Sequence, residues 1–191
     1  VAIGGGVLLA AAGAGPAAAT LADVRAAGAG ELARGPWRRL YAPDPNDGLW
    51  EALRPRLGAP AGIDTAGLVF LSDGAAVARA VAADTLALGL ATTFTAAPAP
   101  GVRVVPLAAA AGDSAAGPTN SNLVTGAYPL YHFLYAACRD RASIEGVKLV
   151  THLASARGQR QVVRAGATPA RQVAREVILT RDPPGTPRGT R

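Results

Sequence analysis

The chain has 191 residues, 50% apolar by the wide count but only 5% aromatic, and a net charge of +6. That length can bury one good core or two small lobes, here from Ala, Gly and Val in close helix–sheet contact. The single cysteine, Cys138, excludes an internal disulfide and reads as a small buried side chain.

His132 and His152 lack acidic or thiol partners in ligand spacing, which argues against a metal site, and no cofactor is implied. The charge is uneven: residues 1–138 carry 8 basic and 9 acidic side chains, residues 139–191 carry 11 and 4. The basic part has no aromatic residue to stack on bases, and its arginines are spaced by apolar residues. It reads as a solvated helix face and a basic tail rather than a nucleic-acid surface. The absence of Met predicts a processed or excised chain.

Val1 to Ala19 is uncharged but lacks a basic n-region and is dominated by Gly and Ala. It reads as mature sequence, with a strand at Val1-Ala2-Ile3, Gly-rich turns and a short apolar run, and not as a membrane span. Thr20, with Asp23 three residues on, predicts a capped helix ending near Gly28 or Gly30. Arg38 to Tyr41 reads as a short strand leading into Ala42-Pro43-Asp44-Pro45-Asn46-Asp47-Gly48, a firm loop signal. Asn46 or Asp47 can cap a helix over Gly48 to Arg54, with Leu49, Trp50 and Leu53 inward and Pro55 and Gly58 closing it.

A linker, Ala59 to Ala66, precedes a strand at Gly67 to Leu71. Ser72 or Asp73 then caps a helix through Ala83 with Val77 and Val81 on one face. Strands follow at Leu86 to Thr92 and Val102 to Leu107, and Ala108 to Thr119 is a small-residue loop. The segment Val124 to Tyr135 holds three of the four tyrosines. Pro129 makes it a bend entering a buried strand, and a core aromatic cluster is the plain reading. Ser143 can cap a helix to Ser155, and Gly158 to Val163 starts a shorter one ending at Gly166. Arg175 to Thr180 reads as a last strand and Asp182 to Arg191 as a disordered tail. Alternating strands and helices with short connections predict an α/β domain with a mainly parallel or mixed sheet.

Three blocks carry a family resemblance: "Val-Ala-Arg-Ala-Val-Ala-Ala-Asp-Thr-Leu-Ala-Leu-Gly" ending at Gly89, "Tyr128-Pro129-Leu130…Leu134-Tyr135", and Leu153 to Gly166. They resemble the phosphate-type ABC-transporter substrate-binding proteins, which have the type 2 periplasmic-binding-protein fold. In order, though with modest local identity, the resemblance runs from Val1 to Leu179. It implies a mixed sheet flanked by helices, a second-lobe-like unit over 1–122, and a return crossover strand with C-terminal helices over 123–181. The first-lobe segment that precedes the first crossover in the family has no counterpart here, so a fragment or a partner chain is expected.

The family's ligand loop has a pattern near "Tyr-Gly-Arg-Asp-x-Asn-Ser-Gly-Thr" before a helix, where N–H groups, hydroxyls and an Arg hold the anion. Tyr41 to Leu49 occupies that pattern, with Asp44, Asn46 and Gly48 matching. Pro43 stands at the Arg position, Asp47 at the Ser and Leu49 at the Thr. The implied ligand residues are Asn46, Asp47 and Gly48, with Arg38 or Arg39 as substitute charge.

The resemblance implies a non-catalytic periplasmic or extracellular protein that binds a small anion such as phosphate beside an ABC permease. The alternative is an interaction or sensory module that keeps the fold. No nucleophile–base pair, Walker-type loop or carboxylate dyad in usable spacing points to an enzyme.

Overall fold

The computed structural model describes residues 2–31, 35–57, 66–93, 99–138 and 144–170. A mixed sheet of seven strands runs through it, with β1 (Ala2–Ala11) bonded on both sides. All ten β1 residues are buried. Its second half pairs antiparallel with β5 (Ala87–Thr92), Gly6 facing Thr92, and with β6 (Val102–Val104). Its first half pairs antiparallel with β8 (Tyr131–Leu134), Gly4 facing His132, and with β9 (Thr168–Pro169). Beyond β5 lie β3 (Arg39–Pro43) and β4 (Leu68–Leu71), both in parallel pairing. A small parallel pair, β2 (Ala19–Thr20) with β7 (Leu107–Ala108), stands apart. The expected α/β fold with a mixed sheet flanked by helices is the observed one.

The predicted turns after Ile3 do not form. Gly4, Gly5 and Gly6 continue the strand because the space a Cβ would fill is occupied: the His132 ring at Gly4, Leu123 at Gly5 and Leu53 at Gly6. Glycine inside a strand marks such close approach.

Local capping chemistry sets most helix starts. Thr20 and Asp23 form the predicted capping box on α1 (Leu21–Ala29), which ends at Gly30 with φ +72°. Asp73 accepts from the Ala76 amide at 2.7 Å to start α3 (Gly74–Ala83), and Val77 and Val81 are buried against the sheet. Ser155, read from sequence as the end of one helix, is the N-cap of the next. Its hydroxyl accepts from Gly158 N at 3.1 Å, separating α5 (Ile144–Ala154) from α6 (Ala156–Arg164). A helix missed in the sequence, α4 (Asn120–Thr125), is capped by Thr119 and ends at Gly126.

The aromatic segment also differs from expectation. Tyr128 and Leu130 are fully buried, but β8 itself is only partly covered, and Phe133 and Tyr135 are 48% and 75% exposed. The strand stops at Leu134, so Cys138 leaves the sheet and is exposed, not buried. The predicted strand after Val102 divides at Pro106 into β6 and β7. All but Ala66 of the linker at 59–66, the Ser143 cap, the strand at 175–180 and the tail at 182–191 fall outside the described residues.

Tyr128 ties the aromatic segment to the central strand: its hydroxyl donates to Gly6 O at 2.7 Å. Tyr128→Phe is expected to cost about 1–2 kcal/mol, because a buried carbonyl loses its partner. Burial pushes the Tyr128 phenol well above its ordinary value, against a smaller opposing effect of a backbone hydrogen bond. The folded state therefore holds this proton more tightly than the unfolded chain. The stabilisation is complete below about pH 10 and is lost as pH rises above it. Urea midpoints measured from pH 9 to 11 should fall more steeply for the wild type than for Tyr128→Phe.

Candidate functional site

Strand β3 delivers the predicted loop. Asp44 Oδ1 accepts from the Asn46 backbone N–H at 2.8 Å and from Asn46 Nδ2 at 2.9 Å, folding Pro45–Asp47 into a single 3-10 turn. Gly48 follows at φ +81°, a conformation that favours glycine, and α2 (Leu49–Leu53) begins. The predicted capping by Asn46 or Asp47 is not how α2 starts. Gly48 itself takes the N-cap position, and the capping carboxylate, Asp44, belongs to the turn before it. The inward face is as expected: Leu49 and Leu53 are buried, and Trp50 packs edge-to-face on Phe70 with centroids 5.6 Å apart.

Asn46, Asp47 and Gly48 thus share one turn, with Asn46 and Gly48 exposed. Arg38 does not join them. It is exposed at the opposite end of β3, its backbone N–H bonded to Leu86 O at 2.7 Å. A strand of that length separates it from the loop by about 16 Å. Arg39 is no substitute, since its guanidinium pairs with Asp84 at 3.0 Å at that same end. Between Tyr41 and Leu49 the charged residues are Asp44 and Asp47, with no cation among them.

A second set of polar residues, of which only His132 was weighed in the sequence, lies where β8 pairs with β1, on both faces of the sheet. The His132 ring covers Gly4, and Thr93 bonds through its backbone N–H to Gly5 O at 3.0 Å. The Arg56 guanidinium carbon lies 3.6 Å from the Tyr131 ring centroid. Burial, helped by the nearby Arg56 charge, holds His132 below its ordinary value. His132 Nδ1, Thr93 Oγ1 and Arg54 Nε are buried without a hydrogen-bond partner. The signal in sequence was the Gly4-Gly5-Gly6 run inside an apolar segment, which demands bulky neighbours.

Among the described residues no three His, Cys, Asp or Glu side chains come together as a metal site. No helix there is long and apolar enough to cross a membrane.

A long central strand that bonds two sets of strands, returned antiparallel by β8, is an arrangement of the type 2 periplasmic-binding-protein fold. The solved structures that resemble the chain bear this out. One is a Clostridium perfringens protein with bound phosphate, assigned as a phosphate ABC transporter substrate-binding protein. It superposes with a TM-score of 0.70 at 16% identity, over 89% of this chain and 70% of its own. An ABC-type phosphate transport receptor from Vibrio cholerae gives 0.67 at 14% identity, over 87% and 69%. PstS from Borrelia burgdorferi gives 0.63 at 13% identity, over 88% and 70%. The chain has the fold of these phosphate transporter substrate-binding proteins. No protein-family model matches it, and no curated protein matches its sequence.

Proposed function

We propose that this chain is a non-catalytic solute-binding domain of the ABC-transport type, acting in the periplasm or outside the cell on a small anion and delivering it to a permease. The observation that supports the reading is the backbone, which superposes on a phosphate-bound protein at a TM-score of 0.70 over 89% of this chain. The Asn46–Gly48 turn is the counterpart of the family's anion loop, and it is degenerate for phosphate. Pro43 brings no charge, Leu49 no hydroxyl, and Asp47 a carboxylate in place of one. Each lost hydrogen bond to a charged ligand removes about 1.5–3 kcal/mol, so tight phosphate binding through this loop alone is not expected.

The test is a thermal-shift titration with phosphate, sulfate and molybdate. A ligand at 100 times its dissociation constant should add about 2.7 kcal/mol, a shift of a few degrees at this size. A folded sample that no solute stabilises would favour the second reading, an interaction or sensory module. Exposed apolar side chains support that reading: Ile144 and Leu149 on α5 are 60% and 57% accessible, and Phe133 and Tyr135 are exposed as well.

A further inference from the structure

Arg56 follows α2 at the end opposite the Asn46–Gly48 turn, and it is half-buried. Stacking on Tyr131 at 3.6 Å fixes the plane of its guanidinium. Its neighbour Arg54 pairs with Glu51 at 3.1 Å, whereas Arg56 has no carboxylate partner among the described residues. Backbone carbonyls do not neutralise it either. Trp50 O accepts from Arg54 N, and Leu53 O from the amides of Arg56 and Leu57. Leu57 O accepts from Arg25 Nε.

The surroundings are short of hydrogen-bond partners in the same way. Where β8 pairs with β1, His132 Nδ1 and Thr93 Oγ1 are buried without a hydrogen-bond partner, one on each face of the sheet. Buried polar groups are nearly always paired, so each of these asks for a partner of its own. An anion is the partner that an unpaired, pre-oriented guanidinium recognises: two oxygens on one centre match its fork in a bidentate grip.

We propose that Arg56, held on Tyr131 where β8 pairs with β1, is the residue by which this chain grips a small carboxylate or oxyanion. It supplies the charge that Pro43 cannot, from the far end of α2. The inference rests on the solute-binding reading for the class of ligand, and on the crossover geometry for the place.

The experiment is a titration of the folded chain with sodium phosphate, sulfate and acetate, followed by thermal shift and by NMR of the His132 ring. Wild type and the charge control Arg79→Gln, an exposed α3 residue, should shift alike. Arg56→Gln should weaken binding about 10- to 100-fold. Arg56→Lys, which keeps the charge and loses the fork, should fall between. Bound anion should also move the His132 titration to higher pH by neutralising Arg56, and that response should vanish in Arg56→Gln. A purely structural Arg56 would not make His132 respond to anion. If Asn46→Ala abolishes the shift while Arg56→Gln keeps it, this inference is overturned and the solute-binding reading stands. If the only solute that stabilises the chain is neither a carboxylate nor an oxyanion, the inference fails likewise. If nothing stabilises the wild type, both fall.

Discussion

Trp37→Ala is expected to lower stability by about 3–5 kcal/mol, the range for emptying a buried tryptophan site. Trp37 is 1% exposed and belongs to the core cluster that joins Leu8 and Leu40 of the sheet to Val24 of α1 and Leu107 of β7. The rest of that core is mainly Leu, Val and Ala with Tyr128, packed at fixed positions of the sheet and helices, and it does not collapse to fill a hole the size of an indole. Gly15 faces the indole, with a Cβ position 3.0 Å from Nε1, so the loop after β1 is moulded on this ring. For a domain whose total stability is about 5–15 kcal/mol, that loss is a large fraction of the whole. Trp37→Phe should cost far less. It keeps a ring in the site and removes an indole N–H that is buried without a partner. Urea unfolding of both variants tests this, read as a shift in midpoint at unchanged slope. A Trp37→Ala midpoint close to wild type would show that the indole does not anchor this core.

The division between what was legible in sequence and what was not follows interaction range. Caps were legible because they are local: Thr20 with Asp23 and Asp73 with Ala76 each span three residues and form as predicted. Buried helix stripes such as Val77 and Val81 were legible from spacing alone. The strand through Gly4 to Gly6 was not, because what makes glycine favourable there is His132, Leu123 and Leu53, far along the chain. Cys138 was misread for the reverse reason: an apolar neighbourhood in sequence says nothing about where β8 stops. At the site, the Asn46–Gly48 turn was visible as a run of turn formers. Arg38 was attached to it through closeness in sequence, which a strand lying between them converts into distance. Arg56 gave no local signal, since its significance lies in Tyr131 beneath it and in having no carboxylate partner among the described residues.

Gly67→Ala should cost about 3 kcal/mol, although it adds a single methyl group. A Cβ at residue 67 would overlap Ala27 O and lie 2.6 Å from Gly30 N and 2.8 Å from Gly30 Cα. All three are backbone atoms, so no rotamer change relieves the clash. Neither side can retreat cheaply. Gly67 N donates to Gly28 O at 3.1 Å, and Leu40 N donates to Gly67 O at 2.8 Å, which locks the entry of β4 to both α1 and β3. Moving it would disturb the Leu40–Leu68 register that starts the β3–β4 pairing. Gly28→Ala, on the other side of that contact, should behave oppositely. Its Cβ would meet Leu40 Cδ2 at 3.5 Å, an ordinary contact, and alanine inside a helix is favoured over glycine by about 0.5–1 kcal/mol. Chemical denaturation of the two variants side by side should give opposite signs, or a loss confined to Gly67→Ala. Equal midpoints would mean that α1 and β4 do not approach this closely. Because β3 lies between that contact and the crossover, a Gly67→Ala chain that still folds should also show faster amide exchange along β3 and into the turn at Asn46.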